Sequence, residues 1–239
     1  MVAPAVGESL TDRLGLGERD LVSFVGAGGK TTLMLKLGRE LADAGHRVVI
    51  TTTTRMSTDE VESPVVDPGG AVEANLERGG VVYVVHRGAE SKMTGPSPAE
   101  VNAMFSSTSA DYILVEADGA RGRSLKAPSQ FEPVIPSAST VVVIVTGIDA
   151  IGRSIATACH RPERVAAILG RPLTYHLGAR DVARVLTSAA GGLKEVPPNA
   201  RVVVAVTKVG TDDIEAARDL TTQVVADPDI ERVVVIPRS

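Results

Sequence analysis

The stretch from Gly26 to Thr32, Gly-Ala-Gly-Gly-Lys-Thr-Thr, combines residue types that together suit the holding of phosphate. Gly26, Gly28 and Gly29 can take positive φ and let backbone N–H groups turn inward without a Cβ in the way, with Ala27 small between them. Such a nest at a helix start offers partial positive charge to phosphate oxygens. Lys30 reaches the β- and γ-phosphates as a point charge, Thr31 offers its hydroxyl to Mg²⁺, and Thr32 can bond a further phosphate oxygen. The usual pattern is G-x-x-x-x-G-K-[ST]; its end fits at Gly29-Lys30-Thr31, whereas Phe24 stands at the first glycine.

Gly26 shortens the pattern to G-x-x-G-K-T-T, a spacing that resembles the ATP-binding loop of Mur-type ligases. A dinucleotide fingerprint is the competing reading. It needs a glycine where Thr31 stands and an acidic residue about 20 positions on, and 47–55 carries neither Asp nor Glu. The cofactor expectation is therefore Mg-NTP, with ATP and GTP both open.

A phosphate loop needs carboxylates near its magnesium. "YILVEADGARG" ends an apolar strand on Glu116 and Asp118, the layout of a Walker B element. Either carboxylate can serve the metal or position an attacking water; Asp118 is assigned with Thr31 to the metal. Asp118-Gly119 also looks like the turn by which switch NTPases sense a γ-phosphate. Arg121, Arg123 and Lys126 follow and form a candidate clamp for an anionic substrate. "TTTTRM" (51–56) sets four hydroxyls and Arg55 after another strand, as ligand groups or as β-forming residues. "VTKVG" resembles the guanine-reading [NT]-K-x-D loop: Thr207 and Lys208 fit, but Gly210 replaces the aspartate. The four histidines show no metal-ligand spacing. Cys159, the single cysteine, excludes an internal disulfide and reads as a small buried hydrophobe.

Elements that hold these residues are legible around them. Continuous Val/Ile runs at Leu21–Val25, Val48–Thr52, Val81–Val85, Tyr112–Glu116, Val141–Thr146, Arg201–Thr207 and Arg232–Ile236 read as parallel strands buried on both faces. Helical patterns fall between them at Thr32–Ala44, after the capping box Ser97-Pro98-Ala99-Glu100, and at Arg161–Leu169, Ala179–Ala189 and Asp212–Val225. The alternation predicts an α/β fold: a P-loop NTPase-like three-layer domain over 1–239 with a mostly parallel central sheet. Residues 1–20 read as an N-terminal extension. Residues 54–69 and 117–139 resist regular structure, and the latter reads as an ordered, ligand-facing loop.

The 239 residues carry a net charge of −4, no Trp, three Tyr and three Phe. With no basic stripe and few stacking aromatics, nucleic-acid binding is not expected. The N-terminus lacks a basic start followed by an apolar core, and the longest apolar run, Val141 to Val145, is too short to span a bilayer. A cytoplasmic protein that does not insert in membranes is the expectation.

"VGAGGKTTLM", "TTTTRM", "SKMTGPSPAEV", "VEADGARGRSLKAPSQFEPVIP" and "VTGIDAIGRSIATACHRPE" together resemble the YqeC family, from about Leu21 through Glu163. Its members are described as selenium-dependent hydroxylase accessory proteins or selenium cofactor biosynthesis proteins, and look like P-loop NTPases. The resemblance implies a maturation role for a selenium-dependent molybdenum hydroxylase or its cofactor, the hydroxylase being the implied partner. It implies nucleotide contacts at Gly26, Gly28, Gly29, Lys30 and Thr31, with Glu116 and Asp118 following the acidic strand. Lys92, Lys126, Glu132 and Asp149 are family-motif positions and, together with Arg55, Arg121 and Arg123, are substrate candidates. Arg55 stands where relatives are expected to carry histidine, and Phe131 stands near another such position. A nucleotide-gated cofactor chaperone without turnover, and an NTP-dependent transferase or ligase, are the rival functions.

Overall fold

The computed structural model describes residues 8–57, 65–67, 72–87 and 92–238. The chain opens on a short helix, α1 (Leu10–Leu14), capped by Ser9, whose hydroxyl accepts the Asp12 N–H, and ended by Gly15 at φ 65°. Then come β1 (Asp20–Gly26), α2 (Lys30–Asp43), β2 (Val48–Thr52), β3 (Arg55–Ser57), β4 (Val65–Val66), α3 (Val72–Leu76), β5 (Val81–Val84), β6 (His86–Arg87) and β7 (Lys92–Thr94). After α4 (Pro98–Ser107) follow β8 (Tyr112–Glu116), β9 (Leu125–Lys126), β10 (Val141–Gly147), α5 (Ile155–Ala158), β11 (Cys159–His160), α6 (Pro162–Leu169) and α7 (Ala179–Leu186). The chain closes with β12 (Arg201–Val209), α8 (Ile214–Val224) and β13 (Arg232–Pro237).

Eight strands form one sheet in the order β13-β12-β10-β1-β8-β2-β5-β4. Every pairing in it is parallel. Side chains alternate across each strand, so the sheet feeds cores on both faces. Phe24, Ile50, Leu114 and Val143 meet the apolar sides of α1 and α2, including Leu33, Leu37 and Leu41. Val25, Ile144 and Val204 meet α5 to α8 on the other face, where Val49 and Val115 meet α3 and α4. This is the α/β, P-loop NTPase-like architecture expected. Strand β1 sits where the chain reverses its direction of spread across the sheet. In open α/β sheets the ligand crevice lies at the carboxyl ends of the strands at such a point.

The strands predicted from apolar runs match the observed ones to within two residues at either end. The helix after β1 begins at Lys30 rather than Thr32, because Gly29 at φ 111° is its N-cap. Ser97 and Glu100 form the predicted capping box. One expectation changes. Residues 8–20 are not an appendage, since Leu10 and Leu14 are buried and the Leu10 and Thr11 N–H groups donate to the Glu40 carboxylate at 3.0 and 2.9 Å. Within 117–139, Ala117, Ser124, Leu125, Lys126 and Ala127 are buried, and β9 pairs with β11. Part of the irregular stretch 54–69, residues 58–64 and 68–69, lies outside the described residues.

Candidate nucleotide-binding site

The loop between β1 and α2 has a shape only glycine permits at two points. Gly26 and Gly28 both sit at φ 91°. A Cβ on Gly26 would come 2.4 Å from the Val145 carbonyl oxygen, and one on Gly28 would come 2.2 Å from the Gly147 nitrogen. The neighbouring strand β10 therefore presses against the loop from beneath. Ala27 ties it down further by donating its N–H to Val145 O at 2.8 Å. The Leu33 N–H donates to Gly29 O at 3.0 Å, so the N–H groups of Lys30, Thr31 and Thr32 precede the first carbonyl the helix can offer. A cradle of open amides closed to any Cβ fits a phosphate chain.

Register sets the carboxylates beside it. Phe24 pairs with Glu116 across β1 and β8, so Asp118, two residues on, comes level with Gly26. Asp118 Oδ2 accepts the Gly26 N–H at 3.1 Å. Lys30, 3% exposed, folds back and donates to Gly26 O at 2.7 Å. Its ammonium lies 3.1 Å from Asp118 Oδ1 and 3.8 Å from Glu116 Oε1. Thr31 Oγ1 donates to Glu116 Oε2 at 3.1 Å. The lysine and hydroxyl suited to a magnesium-bound triphosphate thus rest on the two carboxylates of the acidic strand end.

The site continues inward through Lys126, whose side chain is fully buried. Its Nζ lies 3.0 Å from Asp118 Oδ2 and 3.0 Å from Glu132 Oε2, and donates to Gly119 O at 2.5 Å. Arg161 grips Glu132 with two bonds, Nε to Oε2 at 3.2 Å and Nη2 to Oε1 at 3.0 Å. Burial favours the neutral acid at Glu132, yet the bonds from Arg161 and Lys126 and the Lys126 charge hold its carboxyl down at about 2. The side chain expected to clamp substrate alongside Arg121 and Arg123 is instead an internal cation. Arg123 donates to the Thr157 carbonyl, and Arg121 stands exposed at φ 47°. The three do not form one clamp.

On the other side of β1, the ends of β10 and β12 carry the second motif. Thr207 Oγ1 donates to Gly28 O and, at 3.1 Å, to Thr146 O, which locks β12 to the phosphate loop. Lys208 takes a left-handed φ of 61°, and its Nζ meets Asp149 Oδ2 at 3.1 Å and Ser124 Oγ at 3.2 Å. Asp149 therefore joins the nucleotide edge as the partner of Lys208. Gly210 donates its N–H to Asp213 Oδ2 at 2.9 Å, an N-cap contact rather than a ligand group.

The family model described as "YqeC protein" matches residues 22–163. A relative from Escherichia coli (strain K12), described as "Uncharacterized protein YqeC", is 33% identical over 219 residues, 89% of this chain and 85% of the relative. The chain belongs to the YqeC family. Among solved structures, chloroplast FtsY from Physcomitrella patens is similar at a TM-score of 0.46 and 15% identity, covering 92% of this chain. The match spans 60% of that FtsY chain's own length. HypB from Helicobacter pylori in complex with nickel is similar at a TM-score of 0.37 and 12% identity, covering 96% of this chain and 83% of that one.

In this YqeC-family protein the "TTTT" hydroxyls are spent internally. Thr51 donates to Val84 O at 2.6 Å, Thr52 to Glu116 O at 2.8 Å and Thr53 to Val134 O at 2.6 Å, while Thr52 and Thr54 bond each other at 3.0 Å. Backbone pairing places Arg55 opposite Thr94 and Lys92 opposite Ser57 in a small antiparallel sheet; the side chains of Arg55 and Lys92 lie outside the described part. Arg161 and Ser124 are site residues the sequence reading missed. Arg161 is 29 positions from Glu132, and no local motif announces a partner at that range. Cys159 is buried, and burial pushes its thiol up to about 12 despite the opposing charge of Arg123.

Proposed function

We propose that this YqeC-family protein is a Mg-NTP-dependent P-loop NTPase. One observation carries the reading: a fully buried Lys30 is held against Asp118 at 3.1 Å inside a glycine loop that admits no Cβ. A buried ammonium in that position is matched to anionic oxygen, and triphosphate supplies more of it than one carboxylate. When bound, Mg²⁺ would offset the negative charge of the triphosphate.

The chain's own residues then divide the work. The N–H groups of Lys30, Thr31 and Thr32 bind phosphate oxygen, and Lys30 moves from Asp118 onto the same group. Thr31 and Glu116 would hold the metal, Glu116 because it already faces the Thr31 hydroxyl and is the more open carboxylate, 14% exposed at its side chain against 2% for Asp118. Asp118 keeps the Gly26 N–H and Lys126, so it positions the loop. This reverses the expectation that Asp118 is the metal ligand.

Beyond turnover, the family resemblance supports a role in maturing a selenium-dependent molybdenum hydroxylase, with that hydroxylase or its cofactor as client. Steady-state phosphate release with Mg-ATP and Mg-GTP tests the enzymatic reading, with Lys30→Ala as the control. Glu116→Gln is expected to lose about 10²–10³-fold in turnover while still binding nucleotide. Release equal to the control, with nucleotide bound, would leave a nucleotide-gated binding module in place of the enzyme.

A further inference from the structure

The chain Lys30–Asp118–Lys126–Glu132–Arg161 runs from the phosphate loop to the segment around Phe131 without a break. With Glu116 it comprises three cations and three anions, so the charges of the network balance only while Lys30 stays among them. Lys126 has no spare capacity. An ammonium has three donors, and its Nζ already serves Asp118, Glu132 and Gly119 O. Its backbone is pinned in β9 against β11, which leaves the head group as the part that can move.

We infer that this ion chain is a nucleotide sensor: withdrawal of Lys30 onto a triphosphate draws Lys126 toward Asp118 and loosens its hold on Glu132, releasing the 129–134 turn. The inference rests on the nucleotide reading above. Its physical basis is that a buried carboxylate deprived of one cation holds the remaining one more strongly. Lys126 sits 3.0 Å from each of two carboxylates, so a gain at Asp118 is a loss at Glu132. Glu132 keeps its paired bonds to Arg161, and its carbonyl keeps the Lys194 Nζ bond at 2.6 Å, so the turn then follows Arg161 and Lys194 instead of the phosphate loop. Three backbone contacts report the change. The Ser129 N–H donates to Glu132 Oε2 at 3.4 Å, the Glu132 N–H to Ser129 O at 3.2 Å, and the Val134 N–H to Ala117 O at 2.9 Å.

Phe131 lies in this turn and is 78% exposed, and the chain has no Trp. Phe131→Trp therefore places a single tryptophan, excited selectively over the three tyrosines, at a largely exposed position on the output end. Saturating Mg-ATP or Mg-GTP should change its emission, and hydrogen exchange of the unsubstituted protein should rise at Ser129, Glu132 and Val134. Adding Glu132→Gln should abolish the optical response while calorimetry still detects nucleotide binding, at a shifted affinity because Glu132 shares Lys126 with Asp118. A full response in that variant would overturn the relay. So would nucleotide binding with a silent reporter, or binding without faster exchange at those amides, and either result would leave the phosphate site standing. Absence of calorimetric binding to the unsubstituted protein would overturn the site reading, and the sensor with it.

Discussion

Two ion pairs flank β1 at the same edge of the sheet. On the phosphate side Lys30 and Asp118 meet at 3.1 Å, each side chain 2% exposed; on the other side Lys208 and Asp149 meet at the same distance with 37% and 33% exposed. The separations match and the surroundings do not. Water screens the outer pair, so either partner can be lost cheaply. The inner pair has no water to fall back on, and removing one member leaves a charge that only another side chain can compensate. Lys126 is that side chain, and Glu132 and Arg161 exist in the site because Lys126 does. One half of the edge is thus a closed network that responds as a unit, and the other is a local contact.

The contrast is sharpest in stability. Lys126→Ala removes a fully buried cation from two carboxylates and is expected to cost about 3–5 kcal/mol, toward the lower end because Lys30 and Arg161 remain. Lys208→Ala should cost under about 1 kcal/mol. Urea unfolding of both variants measures the difference, and similar losses would show that burial does not separate the two halves.

Next in size is triphosphate affinity. Lys30→Ala should weaken binding by about 2–4 kcal/mol, the scale of a lost charge-assisted contact in a closed site. Lys208→Ala should weaken it less. Calorimetry with Mg-ATP and Mg-GTP ranks the two, and unchanged affinity in Lys30→Ala would remove the phosphate site from this loop.

How far the site was legible follows the same division. The glycine loop, Lys30, Thr31 and the carboxylates were readable because a local motif and an apolar strand fix them, and the all-parallel sheet follows from unbroken Val/Ile runs. The inner network was not. Its members come from positions 30, 118, 126, 132 and 161, joined by register between β1 and β8 and by the short β9–β11 pairing, which two-residue strands do not announce. A lysine in a polar, proline-containing stretch reads as a surface clamp until its neighbours are known.

A third, smaller effect is acid sensitivity. The Glu132 carboxyl is held at about 2 in the folded protein against an ordinary 4.5. A lowered folded value adds stability that is complete above the unfolded pKa and fades as pH falls from about 4.5 through about 2. Glu132→Gln should therefore lower stability near neutrality and lose less on acidification than the parent. Denaturant titrations at about pH 6, 4 and 3 compare them across that window; parallel curves would mean that the Lys126 and Arg161 contacts do not bias Glu132 toward its charged form.

The smallest expected effect is base discrimination, and it belongs to the outer half. Selective guanine recognition needs an acceptor pair for N1–H and the exocyclic amine, which an aspartate two residues after the motif lysine would supply. Gly210 stands there without a side chain; its N–H donates to Asp213 Oδ2 and its carbonyl accepts the Asp213 N–H. Asp213 is held in turn, accepting from Arg238 Nη2 at 3.4 Å, and Asp212 is exposed in the first turn leading to α8. Neither carboxylate is placed to take over. Thr207 still anchors β12 to Gly28. An unmatched acceptor is worth about 1–3 kcal/mol, and GTP should therefore lack that advantage over ATP. Competition titrations with Mg²⁺ present measure the ratio. A roughly hundredfold preference for GTP, abolished by Asp212→Ala, would show that the loop rearranges on binding and that the outer half responds to nucleotide as strongly as the inner one.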